Sequence, residues 1–111
     1  MTGLREQLDA YGPAAHLVTV GGGGRPHVVS VLVAADGELL RTTAGHTTTA
    51  NAGANPSVTL VWAAPPGEAY TLLVDGRAEP VGDELVVIPT RAVQHRVVTA
   101  PGDGPSCITI V

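Results

Sequence analysis

The side chains that most often carry out catalysis or bind metals are few in this sequence and lie far apart. None of the four histidines (His16, His27, His46 and His95) is two, three or four residues from another histidine or from Cys107. This spacing provides no local metal-binding pair. It leaves open a metal site assembled from distant residues, and it equally allows His16 and His27 to be structural residues that flank one hairpin.

Nucleophiles and acid–base pairs are equally scarce. Cys107 lies in an apolar C-terminal segment, which predicts a buried structural thiol. No serine occupies the Gly-x-Ser-x-Gly turn of a hydrolase, and no pair of carboxylates stands out, since most aspartates occur at turns. The sequence therefore assigns no catalytic residue. If the protein is an enzyme, we expect a bound cofactor to supply the reactive groups.

The glycine run Gly21–Gly24 resembles a phosphate-binding loop only superficially. A Walker loop continues with Gly-Lys-Ser/Thr, whereas this run continues with Arg25-Pro26. A dinucleotide-binding glycine motif is followed by a helix, whereas the residues after Pro26 are typical of a strand. We therefore interpret the run as the turn of a β-hairpin, where glycine supplies the positive φ angles that such turns require.

Composition and charge narrow the classes of protein further. The chain has 111 residues, the usual size of one domain, and we expect residues 1–111 to form a single unit. A net charge of −4, with six arginines and no lysine, argues against binding to nucleic acids. No apolar run is long enough to span a bilayer, and the N-terminus lacks the core of a signal peptide, so we expect a cytoplasmic location.

The hydrophobic pattern predicts a mainly β fold with two helices. Leu4, Leu8 and Tyr11 recur at helical spacing and predict an N-terminal helix that packs as a lid. A second, short helix is expected over 45–55, where the sequence Asn55-Pro56 ends it. Strands are predicted over 15–20, 27–33, 38–43, 57–62, 70–81, 84–88 and 106–111.

The pattern also predicts how the strands pair and where they are interrupted. The first three strands are predicted to form a meander. Asp75-Gly76, midway along a long strand, predicts a bulge or sharp bend. Residues 89–95 are expected to be helical or irregular, and 97–105 to be a loop. Several strands are apolar on both faces, which indicates that a partner or a helix covers the outer side of the sheet.

The order of these elements and their motifs resembles a known family. The segment Arg25-Pro26-His27-Val28-Val29-Ser30-Val31 is followed by Asp36-Gly37, by Leu39-Leu40-Arg41-Thr42-Thr43 and by His46-Thr47-Thr48-Thr49. Asn55-Pro56 and Val74-Asp75-Gly76-Arg77-Ala78 come next. Over about residues 14–82 this order is similar to the pyridoxamine-5′-phosphate-oxidase-like family of flavin-binding split barrels. The resemblance implies a split β-barrel of six or seven strands, with a short crossover helix and an N-terminal helix.

The resemblance also implies a site. Members of that family form homodimers that bind a flavin in the cleft between the two chains. Its phosphate is held by a strand threonine, a serine and an Arg-Lys pair. Thr42 occupies the position of the threonine, His46 that of the serine, and Thr47 and Thr48 those of the basic pair.

Both basic residues of the family pattern are therefore absent. We expect weakened affinity for a phosphorylated flavin, because hydrogen bonds to charged groups are the stronger ones. Arg25 or Arg41 could be recruited instead, and Ser30, in an otherwise apolar strand, is expected to face the cleft or to bond to a neighbouring carbonyl.

The sequence thus leads to two candidate functions from different classes. The first is an oxidoreductase that binds FMN or a deazaflavin in a homodimer cleft. The alternative is a cofactor-free dimeric module of the same fold that binds a small molecule.

Overall fold

Eight short strands and two helices make up the described part of the chain. The structure is a computed structural model that describes residues 2–98, 102 and 104–111. The elements are α1 (Thr2–Tyr11), β1 (Ala14–Val20), β2 (Pro26–Leu32), β3 (Ala34–Asp36), β4 (Leu39–Thr43), α2 (His46–Ala54), β5 (Ser57–Trp62), β6 (Thr71–Val81), β7 (Glu84–His95) and β8 (Cys107–Thr109).

All pairings in the sheet are antiparallel, in the order β2-β1-β5-β6-β7-β4-β3, and β8 also pairs with β7. The N-terminal half of β7 pairs with β4 and its C-terminal half with β8, on the edge that faces away from β6. The sheet is curled into a half-barrel around one core. This architecture confirms the prediction of a mainly β split barrel with an N-terminal and a crossover helix. The described sheet has eight strands rather than the predicted six or seven, because it includes the three-residue strands β3 and β8.

Alternation along the strands separates a core face from an outer face. On β1, β5 and the first half of β6, every second residue is buried. The largest fully buried side chains form the centre of the core: Trp62, Leu17, Leu60, Leu72, Leu85, Val74 and Val87. The opposite side of β2, β1, β5 and β6, here called the outer face, carries Val28, Val18, Val61 and Leu73.

Helix α1 covers one end of the core, as its spacing predicted. Leu4 is buried, and Leu8 and Tyr11 pack against the core. The helix ends at Tyr11, and the next residue, Gly12, has a positive φ of 82° that is accessible to glycine. The Gly12 carbonyl accepts a hydrogen bond of 3.0 Å from the indole nitrogen of the buried Trp62. The lid is therefore joined to the core by both packing and a specific bond.

Helix α2 forms despite three threonines and a glycine, which have poor helix propensity. No side chain caps its N-terminus. Thr48 and Ala52, one turn apart, are its buried residues, and Asn51 donates a hydrogen bond of 3.2 Å to the Thr19 hydroxyl of β1. Tertiary contacts with the barrel thus stabilise a helix that propensity alone disfavours.

The prediction of a three-stranded meander is wrong. β1 and β2 do form a hairpin, but β4 pairs with β3 and β7 rather than with β2. Between them the chain bends at Val33, whose amide donates to the Pro13 carbonyl at 2.8 Å. This bend carries β3 and β4 to the far end of the sheet order, so that the sheet curls back on itself.

The interpretation of 89–95 as helical or irregular is also wrong, because β7 continues through Pro89 to His95. The expected irregularity at Asp75-Gly76 is confirmed. Asp75 pairs with Arg91 and Gly76 with Pro89, so Thr90 is the extra residue of a bulge. A proline, which cannot donate to a ladder, is tolerated in a strand at such a bulge.

At the C-terminal end, Cys107 is exposed and not buried as expected. It lies in β8, a strand of three residues that are all exposed. The predicted loop over 97–105 lies partly outside the described residues. Among the described helices, none is long and apolar enough to cross a membrane.

Candidate functional site

An open cavity of about 510 Å³ lies where the β1–β2 hairpin approaches the end of β4. We call it the cleft. The residues that line it come from β1, β2, β4 and the segment after β5: Ala14, Ala15, His16, Ser30, Val31, Leu32, Thr43 and Ala63. Its volume lies within the range of small-molecule sites, and its walls are mostly apolar.

The strand register explains why these residues meet. His16 of β1 lies directly opposite Ser30 of β2, so both point to the same side of the sheet. β2 is the terminal strand of the sheet, and no other strand in the described part of the chain pairs with its second edge. Thr43, the last residue of β4, completes the cleft on that side.

The polar groups of the cleft are one imidazole and two hydroxyls. His16, Ser30 and Thr43 are all exposed. No carboxylate and no arginine is among the described residues that line the cleft. Such a site favours a largely uncharged, flat ligand with a few polar edge atoms over a strongly charged one.

The N-terminus of α2 follows the cleft residue Thr43 closely along the chain. Only Ala44 and Gly45 separate Thr43 from His46, the first residue of that helix. The first amides of a helix have no partner within it, and no acidic residue lies in the first turn of α2. The backbone here is suited to an anion such as a phosphate.

The side chains at this helix start differ in exposure. His46 and Thr47 are exposed, whereas Thr48 is 2% exposed. Thr42 is buried as well, and its hydroxyl donates to the carbonyl of Thr43 at 3.2 Å. In one chain, therefore, His46 and Thr47 are the side chains of this group that a ligand can reach directly.

The two candidate arginines are placed differently. Arg25 is exposed in the turn of the β1–β2 hairpin, five residues before Ser30, or roughly 16 Å along an extended strand. Arg41 lies on the same side of β4 as Thr43, two residues away. Its guanidinium forms ion pairs with Asp36 at 2.9 Å and with Glu84 at 3.4 Å. Neither arginine lines the cleft.

The structure thus brings together some of the residues singled out from the sequence. Ser30 lies in the cleft, Thr42 adjoins it, and His46, Thr47 and Thr48 follow it along the chain. The cleft also contains His16, Leu32, Thr43 and Ala63, which the sequence did not indicate as ligand-binding residues. The sequence feature that could have indicated His16 as a cleft residue is the predicted hairpin that it shares with Ser30. The described residues contain no group of three or more His, Cys, Asp or Glu side chains that could hold a metal ion.

The fold and the cleft together define a split β-barrel with a ligand-sized site beside its crossover helix. The family model described as pyridoxamine 5′-phosphate oxidase matches residues 4–104. The chain belongs to that family.

Solved structures extend the comparison. One, named F420 reductase, is 27% identical, with a TM-score of 0.62 over 72% of this chain and 88% of that chain. A protein from Clostridium acetobutylicum related to general stress protein 26 of B. subtilis is 14% identical. Its TM-score is 0.69 over 96% of this chain and 90% of that chain.

HutZ, the heme storage protein from Vibrio cholerae, is 16% identical, with a TM-score of 0.61 over 78% of this chain and 90% of that chain. No curated protein sequence matches this chain.

Proposed function

We propose that the protein is an oxidoreductase that binds FMN or a deazaflavin in the cleft, between two copies of the chain. The observation that carries this proposal is that the cleft residue Thr43 lies only three residues before the start of α2. An apolar slot with hydroxyl groups suits the ring system, and unpaired helix amides suit a phosphate beside it. Membership of the pyridoxamine 5′-phosphate oxidase family and the similarity to an F420 reductase support the same assignment.

In this proposal the ring lies against Leu32 and Ala63, while Ser30, Thr43 and His16 bind its polar edge. The cofactor, when bound, supplies hydride transfer. The residues of the chain orient the ring and restrict the access of water. A phosphate would take its hydrogen bonds from the first amides of α2 and from the Thr47 hydroxyl.

The second copy is inferred from the outer face of the sheet. Val28 is 55% exposed and Leu32 71% exposed on this face, and Val18, Val61 and Leu73 continue it across three further strands. These apolar side chains share the face with His16, Ser30, Thr59 and Asp75, and a monomer gains little from exposing them. Two copies packed through it would bury this surface and cover the open side of the cleft.

Ligand titration tests the proposal directly. The purified protein is examined for flavin or deazaflavin absorbance and is then titrated with FMN, riboflavin and a deazaflavin by fluorescence. We expect saturable binding, with FMN tighter than riboflavin because only FMN carries a phosphate. Absence of binding by all three, with the fold and the dimer intact, would contradict the cofactor assignment.

Ser30→Val examines whether the cleft is the binding site. Val removes the hydroxyl, suits a β-strand and adds its extra methyl group at an exposed position. We therefore expect unchanged thermal stability and a cofactor affinity reduced by about fivefold, which corresponds to the loss of one hydrogen bond. A fall in stability with unchanged affinity would show that Ser30 is structural.

A cofactor-free module that binds a small molecule in the same cleft is the second candidate function. One observation favours it: Thr47 and Thr48 stand where the family pattern has its basic pair, and the cleft residues that the structure describes include no arginine. The titration distinguishes the candidates, since this module binds no flavin. Heme is included as a further ligand because of the similarity to HutZ, and tight binding of heme alone would also overturn the flavin assignment.

A further inference from the structure

A second cavity lies on a different part of the molecule, between α1, the β5–β6 loop and the end of β7. Its volume is about 350 Å³, enough for a small molecule. None of the residues that line it lines the cleft. Gln7, Tyr11, Glu68, Tyr70 and Gln94 provide its polar and aromatic groups, and Pro65 and Pro66 form a rigid apolar wall.

A chain of side-chain hydrogen bonds holds the cavity together. The Gln94 amide nitrogen donates to the Gln7 side-chain oxygen at 3.3 Å and to the Tyr11 hydroxyl at 3.0 Å. The Tyr11 hydroxyl in turn donates to the Tyr70 carbonyl at 2.8 Å. These bonds join α1, β7 and the β5–β6 loop, so the shape of the cavity is preorganised.

The same bonds determine which groups remain for a ligand. Both protons of the Gln94 amide and the proton of Tyr11 are used within the network. The Gln94 side-chain oxygen and the Glu68 carboxylate remain as acceptors, and the Gln7 amide nitrogen remains as a neutral donor. The Glu68 carboxylate is the charged group, since no cationic side chain is among the described residues lining the cavity. The charge at this site therefore favours a cation.

This cavity contains most of the few aromatic residues of the sequence. The chain has two tyrosines, one tryptophan and no phenylalanine. Both tyrosines line this cavity, whereas the tryptophan is buried in the core. Tyrosine rings attract alkylammonium and guanidinium groups through the negative charge of their faces. A carboxylate beside the rings adds its own attraction for the same cation.

We propose that this cavity, bounded by Tyr11, Tyr70, Glu68 and Gln94, is a binding site for a small organic cation of the alkylammonium or guanidinium class. The tyrosine rings contact the cationic group, Glu68 provides the opposite charge at the rim, and the prolines contact the apolar part of the ligand. This site is independent of the flavin proposal, because it shares no lining residue with the cleft.

Nuclear magnetic resonance titration of the full chain tests the proposal with two probes, choline and agmatine. The neutral control is 3,3-dimethylbutan-1-ol, which has the shape of choline without its charge. We expect saturable shifts of amide signals at millimolar concentrations of either cation, confined to residues 7–11, 65–70 and 94. The alcohol should bind much more weakly, and added salt should reduce the affinity for the cations.

Matched variants identify the groups responsible. Glu68→Gln should reduce choline affinity about fivefold, whereas Glu79→Gln, an equally exposed carboxylate on β6, should leave it unchanged. Tyr70→Phe keeps the ring and should retain binding, while Tyr70→Leu should reduce it by about fivefold.

Three results would overturn the proposal: no saturable shift with either cation, equal binding of the neutral alcohol, or wild-type affinity in Glu68→Gln. Because Glu68 is exposed, its replacement leaves the fold intact and keeps these outcomes interpretable.

Discussion

At the scale of single residues, Gly76 shows how closely two strands approach at the bulge. A Cβ atom there would lie 2.6 Å from a methyl carbon of Val87 and 2.7 Å from the carbonyl oxygen of Ile88. The side chain could rotate, but the backbone carbonyl cannot move without disturbing the ladder. Only glycine allows β6 and β7 to pass at this distance.

Gly76→Ala should therefore lower the free energy of unfolding by about 1–3 kcal/mol, as overpacking does in other cores. The matched control is Gly53→Ala in α2, where a Cβ atom meets nothing within 4 Å. Since alanine is the better helix former, that change should stabilise the protein by about 0.5–1 kcal/mol. Urea denaturation measures both. Similar effects of the two substitutions would contradict the role of the close contact.

Thr47 is the residue at which the proposed phosphate site can be strengthened. It is exposed in the first turn of α2, so Thr47→Lys adds a cation without burying it. One hydrogen bond to a charged group contributes about 1.5–3 kcal/mol, so we expect FMN affinity to rise by roughly tenfold or more.

Ala50→Lys provides the same charge on the same helix, but outside its first turn, and is the control for a general electrostatic effect. The gain from Thr47→Lys should be absent with riboflavin and should decrease as salt is added. An equal gain with riboflavin, or with the control variant, would show that the lysine acts non-specifically.

At the scale of elements, the two helices depend on the barrel in different ways. α1 carries an apolar stripe, so its sequence alone predicts that it packs against the core as a lid. α2 has no such stripe and is held at the barrel by specific contacts. The hydrogen bond between Asn51 and Thr19 is one of them, and Thr19 is fully buried.

Asn51→Ala should lower the free energy of unfolding by about 1–2 kcal/mol, because the buried Thr19 hydroxyl loses its donor. In the double variant Thr19→Val with Asn51→Ala, no hydroxyl is left unsatisfied. Its loss of stability should accordingly be smaller than the sum of the two single losses. Additive losses in urea denaturation would show that the bond does not couple α2 to β1.

At the scale of the whole molecule, the proposed homodimer depends on the outer face of the sheet. On this side the strands carry Val18, Val28, Leu32, Val61 and Leu73, of which Val28 is 55% and Leu32 71% exposed. Light scattering at micromolar concentration should give about twice the chain mass of 11.2 kDa.

Val28→Asp should convert the dimer to a monomer while the circular dichroism spectrum stays unchanged, since a charge on the outer face would be desolvated on association. Val97→Asp is the control, because Val97 is equally apolar and 76% exposed but lies in the segment after β7. A wild-type monomer across a dilution series would contradict the shared cleft.

Local patterns in the sequence were sufficient for most of the elements. Glycine and proline predicted the turns. The spacing of Leu4, Leu8 and Tyr11 predicted α1, and Asp75-Gly76 predicted the bulge. These features depend on neighbouring residues along the chain, which is why they can be read from it. The order of motifs also indicated the split barrel and the family.

Only the tertiary structure decided how the elements combine. The pairing of β4 with β7 rather than β2 results from the bend at Val33, which a pattern of alternating residues does not contain. The continuation of β7 through Pro89 depends on the bulge in register with Gly76. Both cavities also join residues that are distant in sequence. The cleft brings together His16, Ser30 and Thr43, and the second cavity brings together Tyr11, Tyr70 and Gln94. Such contacts depend on sheet register and curl, properties of the folded chain that no local segment encodes.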